Sequence, residues 1–355
     1  MSTSTSTSSA ALRVGLIGFG TAGRFFHAPL LATTPGLELA AIVTSDPAKR
    51  DDILATYPGT QVVATVDALW PLNVDLVVVA SPNRTHVPLA LAAIEAGSAA
   101  VVDKPLAIES AAAHALVEAA RERGKLLSVF QNRRWDGDFR TVAALIDEGR
   151  LGTVHRFESR FERWRPKLKG GWRETGGRDE GSGLLYDLGS HLVDQALTLF
   201  GPATSVYAQA DIRREGATAD DDTFIALTHE SGVRSHLWAS ATAASLGPRF
   251  RVLGSQAAYV TYGLDGQEAE LRTGRTPRDE GFGVIPPDQH GKLGAEGEFE
   301  TYPTLDGRYT DYYAEIECAL RGEGPVPVDP RDAVAALRVI EAARVSADEN
   351  RVVTV

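Results

Sequence analysis

The sequence predicts an α/β protein built from two units: a doubly wound parallel sheet, then an α+β unit with a large, mainly antiparallel sheet. Three observations carry that expectation. From Leu12 to about Phe130, apolar runs alternate with helical patterns, the signature of βαβ units. A glycine-rich turn, Gly18-Phe19-Gly20-Thr21-Ala22-Gly23, directly follows the first apolar run. Beyond Arg133 the pattern changes to shorter runs that begin to alternate residue by residue, as strands with one covered face do. A chain of 355 residues also exceeds one ordinary domain. We expect a disordered Ser/Thr-rich tail at residues 1–10, the parallel unit at 11–132 and the α+β unit at 133–355.

In the first unit, strands are expected at residues 13–18, 37–44, 61–64, 76–80, 99–103 and 126–130. Several are continuous apolar runs, suited to burial on both faces. Helical patterns fill the gaps at 22–32, 47–56, 86–95 and 109–123, with Gly97 and Gly124 placed to cap two of them. The second unit opens with a helix near 139–148 that ends at Gly149. Strands follow at 153–162, 206–212, 223–228, 233–240, 250–253 and 258–262. In the 233–240 run, Val233, Ser235, Leu237 and Ala239 fall on one face, and Arg234, His236 and Trp238 on the other. Residues 273–297 read as a long, charged, Gly/Pro-rich loop suited to a lid. Two helices close the chain at 309–320 and 330–347, the second with Asp329 as N-cap and Pro330 at its first position.

Composition narrows the function classes. With 43% hydrophobic and 23% charged residues the chain is ordinary globular material. A net charge of −11 argues against nucleic acid or an anionic membrane as partner. One cysteine, Cys318, allows no intrachain disulfide and fits a reducing, cytoplasmic setting; its amphipathic surroundings read as those of a structural thiol. Residues 1–10 lack the basic start and apolar core of a secretory signal, and no apolar stretch is long enough to span a bilayer.

The glycine turn offers the strand, G-x-G-x-x-G, helix order that a dinucleotide pyrophosphate needs. Gly18 allows the turn, Gly20 lets phosphate approach the backbone, and Gly23 lets the helix pack on its strand. Phe19, Thr21 and Ala22 complete the cradle, and the helix N-terminal N–H groups face the anion. This makes the first unit a Rossmann domain in expectation. In such sheets ligands sit at the carboxyl ends of strands. Lys104 is a lone cation just after the apolar run 99–102, and Asn132 ends the last strand. Ser81-Pro82-Asn83-Arg84-Thr85-His86 follows the fourth strand and suits a turn near the nicotinamide ribose; a plain turn with His86 as a helix cap is the competing reading. Arg133 and Arg134 read equally well as interdomain ion pairs.

Cofactor choice turns on the end of the second strand. Ser45 stands where an acid would hold the ribose 2′-hydroxyl of NAD, and Lys49 or Arg50 could pair with a 2′-phosphate. NADP(H) is favoured; a shift of one residue would return Asp46 to the NAD(H) role. Further along, Asp187, His191 and Asp194 fall on one helical face, beside an apolar stripe of Leu188, Leu192, Ala196 and Leu199. A solvated face with a chance histidine explains that stripe if it stands alone. Joined to a nucleotide loop and Lys104, it supplies what oxidation of an alcohol to a ketone requires. An imidazole can take the hydroxyl proton, an ammonium can stabilise alkoxide charge, and a carboxylate can hold hydroxyls or the imidazole. Trp172 and Arg165 lie in a cationic, glycine-rich loop before that helix and either line a sugar pocket or pin a surface loop; Tyr186 is a further substrate candidate. The remaining histidines show no metal-ligand spacing.

Glycine turn, Asp103-Lys104-Pro105 and Asp187-x-x-x-His191, in that order, resemble the glucose–fructose oxidoreductase/inositol dehydrogenase/MocA family. Phe26-His27-Ala28-Pro29, Asn132-Arg133-Arg134-Trp135-Asp136 and the run from Tyr186 to Gln195 look most like its scyllo-inositol dehydrogenase branch. The family's commoner Glu-Lys-Pro is Asp-Lys-Pro here, which keeps the carboxylate. By this resemblance Lys104 and His191 form the catalytic pair and Asp187 is a substrate or proton-relay partner. The implied activity is NAD(P)-dependent hydride transfer at a secondary hydroxyl of an inositol, sugar or related polyol. A homo-oligomer formed through the C-terminal sheet is expected. Two other classes stay open: a nucleotide-binding sensor without turnover, and a sugar hydrolase or dehydratase that retains its NAD.

Overall fold

A computed structural model describes residues 10–355. The expected tail lies outside those residues except for Ala10. Six strands, β1 (Leu12–Ile17), β2 (Leu37–Val43), β3 (Gln61–Val63), β4 (Leu76–Val79), β5 (Ala99–Asp103) and β6 (Leu127–Phe130), form one sheet. Its order is β3-β2-β1-β4-β5-β6 and every pairing is parallel. Crossovers are supplied by α1 (Ala28–Thr33), α2 (Pro47–Thr56), α3 (His86–Glu95) and α4 (Ser110–Glu122). Strand order reverses between β1 and β4, so the crevice at their carboxyl ends is the ligand position of this architecture. β4 is buried along its whole length, as the apolar run requires. One local expectation changes: the first helix begins with a π-helical turn over Gly23–His27 before regular α1. Wide turns of this kind often mark functional sites.

The second unit contains α5 (Gly137–Asp147), β7 (Val154–Glu162), α6 (Trp172–Thr175), α7 (Leu184–Asp187) and α8 (Gly189–Phe200). Strands β8 (Ala203–Asp211), β9 (Asp222–His229), β10 (Arg234–Ser240), β11 (Phe250–Gly254) and β12 (Ala258–Thr261) follow. After α9 (Gln267–Arg272) come β13 (Gly291–Ala295), β14 (Glu298–Tyr302), α10 (Tyr309–Leu320), α11 (Pro330–Glu349) and β15 (Val353–Thr354). The nine strands form one sheet, β14-β13-β12-β11-β7-β10-β9-β8-β15, in which only β7 and β10 pair in parallel. Helices α8 and α11 pack on one face. On the other, Phe224, His236 and Trp238 form a half-buried aromatic cluster with Arg160 stacked 3.9 Å from the Trp238 ring.

The expected loop at 273–297 is not one loop, because its end is β13, which pairs with β12 and turns into β14. Glu296 (φ 52°) and Gly297 (φ 88°) make the hairpin with two left-handed residues, as a two-residue turn of that twist demands. The two units are joined by α11, which packs on α4, and by α10, which packs behind Phe130 at the end of β6. There Tyr309, Tyr312 and Tyr313 of α10 are fully buried, and Phe130 packs against Tyr312 and Tyr313.

Candidate functional site

The glycine turn is shaped by backbone contact. Gly18 has φ 99°, and a Cβ there would stand 2.6 Å from the Ala80 carbonyl, so no other residue fits the turn against the end of β4. A Cβ on Gly23 would overlap the Gly18 carbonyl. Around Gly20 nothing lies within 4 Å of a built Cβ, which leaves an open backbone cradle. That combination fits a dinucleotide pyrophosphate. Past β2, Ser45 is exposed, whereas Asp46 caps α2 by accepting from Ala48 N at 3.0 Å and Lys49 N at 3.4 Å. The Lys49 ammonium lies 3.6 Å from that same carboxylate.

The 81–86 turn is self-bonded. Ser81 Oγ lies 2.6 Å from Thr85 Oγ1, and Asn83 Nδ2 donates to the Glu180 carbonyl of the second unit at 3.4 Å. Pro82 and Asn83 line a small recess with Trp172. His86 does not face a ligand position. Its buried ring lies between the Pro105 carbonyl (Nδ1, 2.7 Å) and the Ser81 carbonyl (Nε2, 2.9 Å), clasping the turn after β4 to the turn after β5.

Lys104 follows β5, and its Nζ donates to the Asp187 carbonyl oxygen at 2.6 Å and to Asp187 Oδ1 at 2.9 Å. Asp187 also faces Arg173 Nε at 3.5 Å. Burial alone would raise the Asp187 carboxyl, but Lys104, Arg173 and Arg163 outweigh it and hold the group at about 2. His191 stands on α8 with Nδ1 3.2 Å from Gln131 Oε1. Because a carbonyl-type oxygen only accepts, Nδ1 carries the proton and Nε2 keeps its lone pair. Burial, followed by Lys104, Arg133 and Arg249, pushes the imidazole well below its ordinary value, so the ring is neutral.

One cleft of about 330 Å³ gathers Lys104, Asn132, Asp187, His191 and Arg165 with Thr21 and Ala22 of the glycine turn. The structure therefore brings together, beside the switch point, the ammonium, carboxylate and imidazole that the sequence separates by up to 87 positions, from 104 to 191. Two expectations need correction. Asp194 does not share the wall with Asp187 and His191: although it stands on α8 with His191, it accepts from Arg134 at 2.7 and 2.9 Å in a separate recess. Tyr186 points away too: its hydroxyl donates to the Ile108 carbonyl at 3.1 Å and Arg344 stacks 4.4 Å from its ring. Trp172 lines two recesses that adjoin the central cleft.

Sequence reasoning missed Gln131, Arg163, Arg173 and Glu268. Gln131 was findable, since it stands one residue past the end of β6, where ligand-facing groups belong. Glu268 pairs with Arg133 and with Arg272 (2.9 Å), and nothing in the local pattern of the short α9 announces that role. Arg133 also lines the cleft, in addition to its pairing with Asp136 at 3.5 Å.

Comparison with known proteins bears on this arrangement. Residues 12–131 match the NAD-binding Rossmann fold model of the Gfo/Idh/MocA oxidoreductase family, and residues 143–355 match the model of its C-terminal alpha/beta domain. An uncharacterized oxidoreductase, YdgJ of Escherichia coli strain K12, is 44% identical over 335 residues, covering 93% of this chain and 94% of its own. The scyllo-inositol 2-dehydrogenase (NADP(+)) IolW of Bacillus subtilis strain 168 is 35% identical over 348 residues, with 96% and 95% covered. Among solved structures, an oxidoreductase from Yersinia pestis superposes with a TM-score of 0.91 at 38% identity, covering 98% of this chain and 97% of that one.

Proposed function

The chain belongs to the Gfo/Idh/MocA oxidoreductase family, and from that premise we propose that it is an NAD(P)-dependent dehydrogenase acting on a secondary hydroxyl of an inositol, sugar or related polyol. The observation that carries this reading is the convergence of Lys104, His191 and the glycine turn on one cleft. Bound nicotinamide would supply the hydride acceptor or donor. In the oxidation direction His191 Nε2 takes the hydroxyl proton, already freed for that task by the Nδ1 contact to Gln131. The Lys104 ammonium stabilises the developing alkoxide. Asp187 fixes that ammonium through two acceptors, which makes it a positioning group for Lys104 as well as a carboxylate facing the polyol. Asn132 and the turn at Ser81, Pro82 and Asn83 flank the nicotinamide side, with His86 acting through the backbone it clasps.

NADP(H) remains the favoured cofactor. Exposed Ser45 presents no charge to a 2′-phosphate, and Asp46 is committed to its helix cap rather than to a ribose. The relative IolW is named for NADP(+). We assign the division between units to the Asn132/Arg133 step, and self-association to the open face of the large sheet around Phe224 and Trp238. The lone thiol Cys318 suits a cytoplasmic setting. A sensor without turnover would have no need of the Lys104–Asp187 pair beside a neutral imidazole. The direct test is Lys104→Ala in steady-state kinetics with cyclitols and sugars: turnover should fall by about 10²–10³-fold, and unchanged turnover on the best substrate would reject the assigned role.

A further inference from the structure

Resting on the dehydrogenase reading, we infer that the substrate carries a fixed negative charge, a carboxylate or a phosphate ester, held by Arg163 and Arg165 on the second unit's side of the cleft. Both arginines follow β7, where Arg163 N donates to the Ser240 carbonyl at 2.9 Å and Arg165 N to the Ala241 carbonyl at 2.8 Å. Two residues apart in extended chain, they project to the same side, and Trp164 between them is 58% exposed on the other. Backbone pairing thus aims two guanidinium forks at the space that Lys104 and His191 line.

Among the described residues neither fork has a carboxylate within the 4.0 Å reach of an ion pair. Every acid around them is already engaged. Asp187 serves Lys104 and Arg173. Glu174 accepts from Arg214 at 2.8 Å and from the backbone N–H groups of Lys169 (2.8 Å) and Gly170 (2.9 Å). Asp220 accepts from Leu185 N at 2.7 Å and Thr223 Oγ1 at 2.9 Å. Glu268 is shared between Arg133 and Arg272. Burial and the neighbouring Arg165 push the Arg163 guanidinium below its ordinary value, the mark of a cation set among cations.

An adjoining recess of about 220 Å³ continues from the cleft and is lined by Arg163, Arg165 and Arg173 with Lys169, sharing Asp187 with the reacting centre. Cations outnumber carboxylates around this recess, five (Arg163, Arg165, Lys169, Arg173 and Arg214) against three (Glu174, Asp187 and Asp220), an excess that a neutral polyol does not require. Planar forks match carboxylate and phosphate oxygens two at a time, which neutral hydroxyls cannot reproduce. The reacting hydroxyl would then sit at Lys104 and His191 while the anionic group enters the recess.

Calorimetry separates this inference from the reading beneath it. The probes are D-glucose, D-glucuronate and D-glucose 6-phosphate, with myo-inositol and a myo-inositol monophosphate as a second scaffold, each titrated into the full-length protein with NADP(H). At least one anionic member should bind about tenfold or more tightly than its neutral parent, and salt should erode the advantage. Whether the uronate or the phosphate ester gains most identifies the group. Arg163→Gln with Arg165→Gln should cut the ratio to about twofold, and the matched lysine pair should restore part of it. Neutral parents that bind as well as both anions, an advantage that survives in the glutamine pair, or no binding by any anionic member would overturn the inference. Anion-selective binding with no change in reduced-nicotinamide absorbance for any probe would support the anion site and count instead against the dehydrogenase reading.

Discussion

Besides the packing of α11 on α4, the two units meet in two places that differ in kind. Behind Phe130, α10 inserts three buried tyrosines against that ring and His27, and each hydroxyl finds a partner. Tyr313 meets His27 Nδ1 at 2.6 Å, Tyr312 donates to Ser128 Oγ at 3.1 Å, and Tyr309 donates to Asp136 at 2.7 Å. In front, across the cleft, polar groups face one another with cations in excess and an imidazole forced neutral. The junction behind is aromatic, with every tyrosine hydroxyl partnered; the one in front keeps unspent hydrogen-bonding and charge. Stability and chemistry are therefore assigned to adjoining parts of one domain boundary, with Phe130 between them, and a ligand in the cleft can be gripped without the units having to find each other.

Breaking the rear junction should give the largest effect. Tyr312→Ala empties a fully buried aromatic site and removes one of the two hydrogen bonds at Ser128 Oγ, so unfolding in denaturant should show a loss of about 3–5 kcal/mol. A loss below about 1 kcal/mol would mean that the junction does not hold the units together. Changing the cofactor end of the parallel sheet should leave stability nearly untouched while altering selectivity. Ser45→Asp places an acid at the exposed end of β2, and the kcat/KM ratio of NADP to NAD should drop by about tenfold or more through charge repulsion. A ratio that does not move would place the 2′-phosphate elsewhere.

The pH profile sharpens the comparison further, with a smaller effect. His191 has a folded pKa below its ordinary value, so it stays unprotonated through neutral pH and the acid limb of kcat/KM for oxidation should begin below about pH 6.5. Asp187, held at about 2, contributes no titration in that range. The same shift has a stability sign. The unfolded chain binds the His191 proton first, so this group's contribution falls as pH drops below about 6.5 towards the folded value. An acid limb lying above neutrality would argue that a different group takes the proton.

Much of the front edge was legible beforehand because it depends on strand ends. Six strands, a glycine turn at the first and Lys104 at the fifth follow from apolar runs and a spacing rule, and parallel topology places them together. Tertiary pairing decided the remainder. Arg163 reaches the cleft only because β7 lies beside β10, whose residues come more than 70 positions later (162 to 234). Asp194 and Tyr186 leave the site because partners distant in sequence claim them, Arg134 for the carboxylate and the Ile108 carbonyl for the phenol. Gly291, Gly294 and Gly297 hid the β13–β14 hairpin, since glycine weakens any strand signal. His86 was readable as a turn residue, but its two backbone partners come from segments 5 and 19 positions away in sequence.

The claim beneath all of this is that Lys104 and His191 act on one hydroxyl as a single device. A kinetic cycle of wild type, Lys104→Ala, His191→Ala and the double variant tests it directly, with folding checked by thermal melting. Groups acting as a unit should give a double variant about as impaired as the worse single one. Independent, multiplying losses, or near-wild-type turnover in either single variant, would contradict the account.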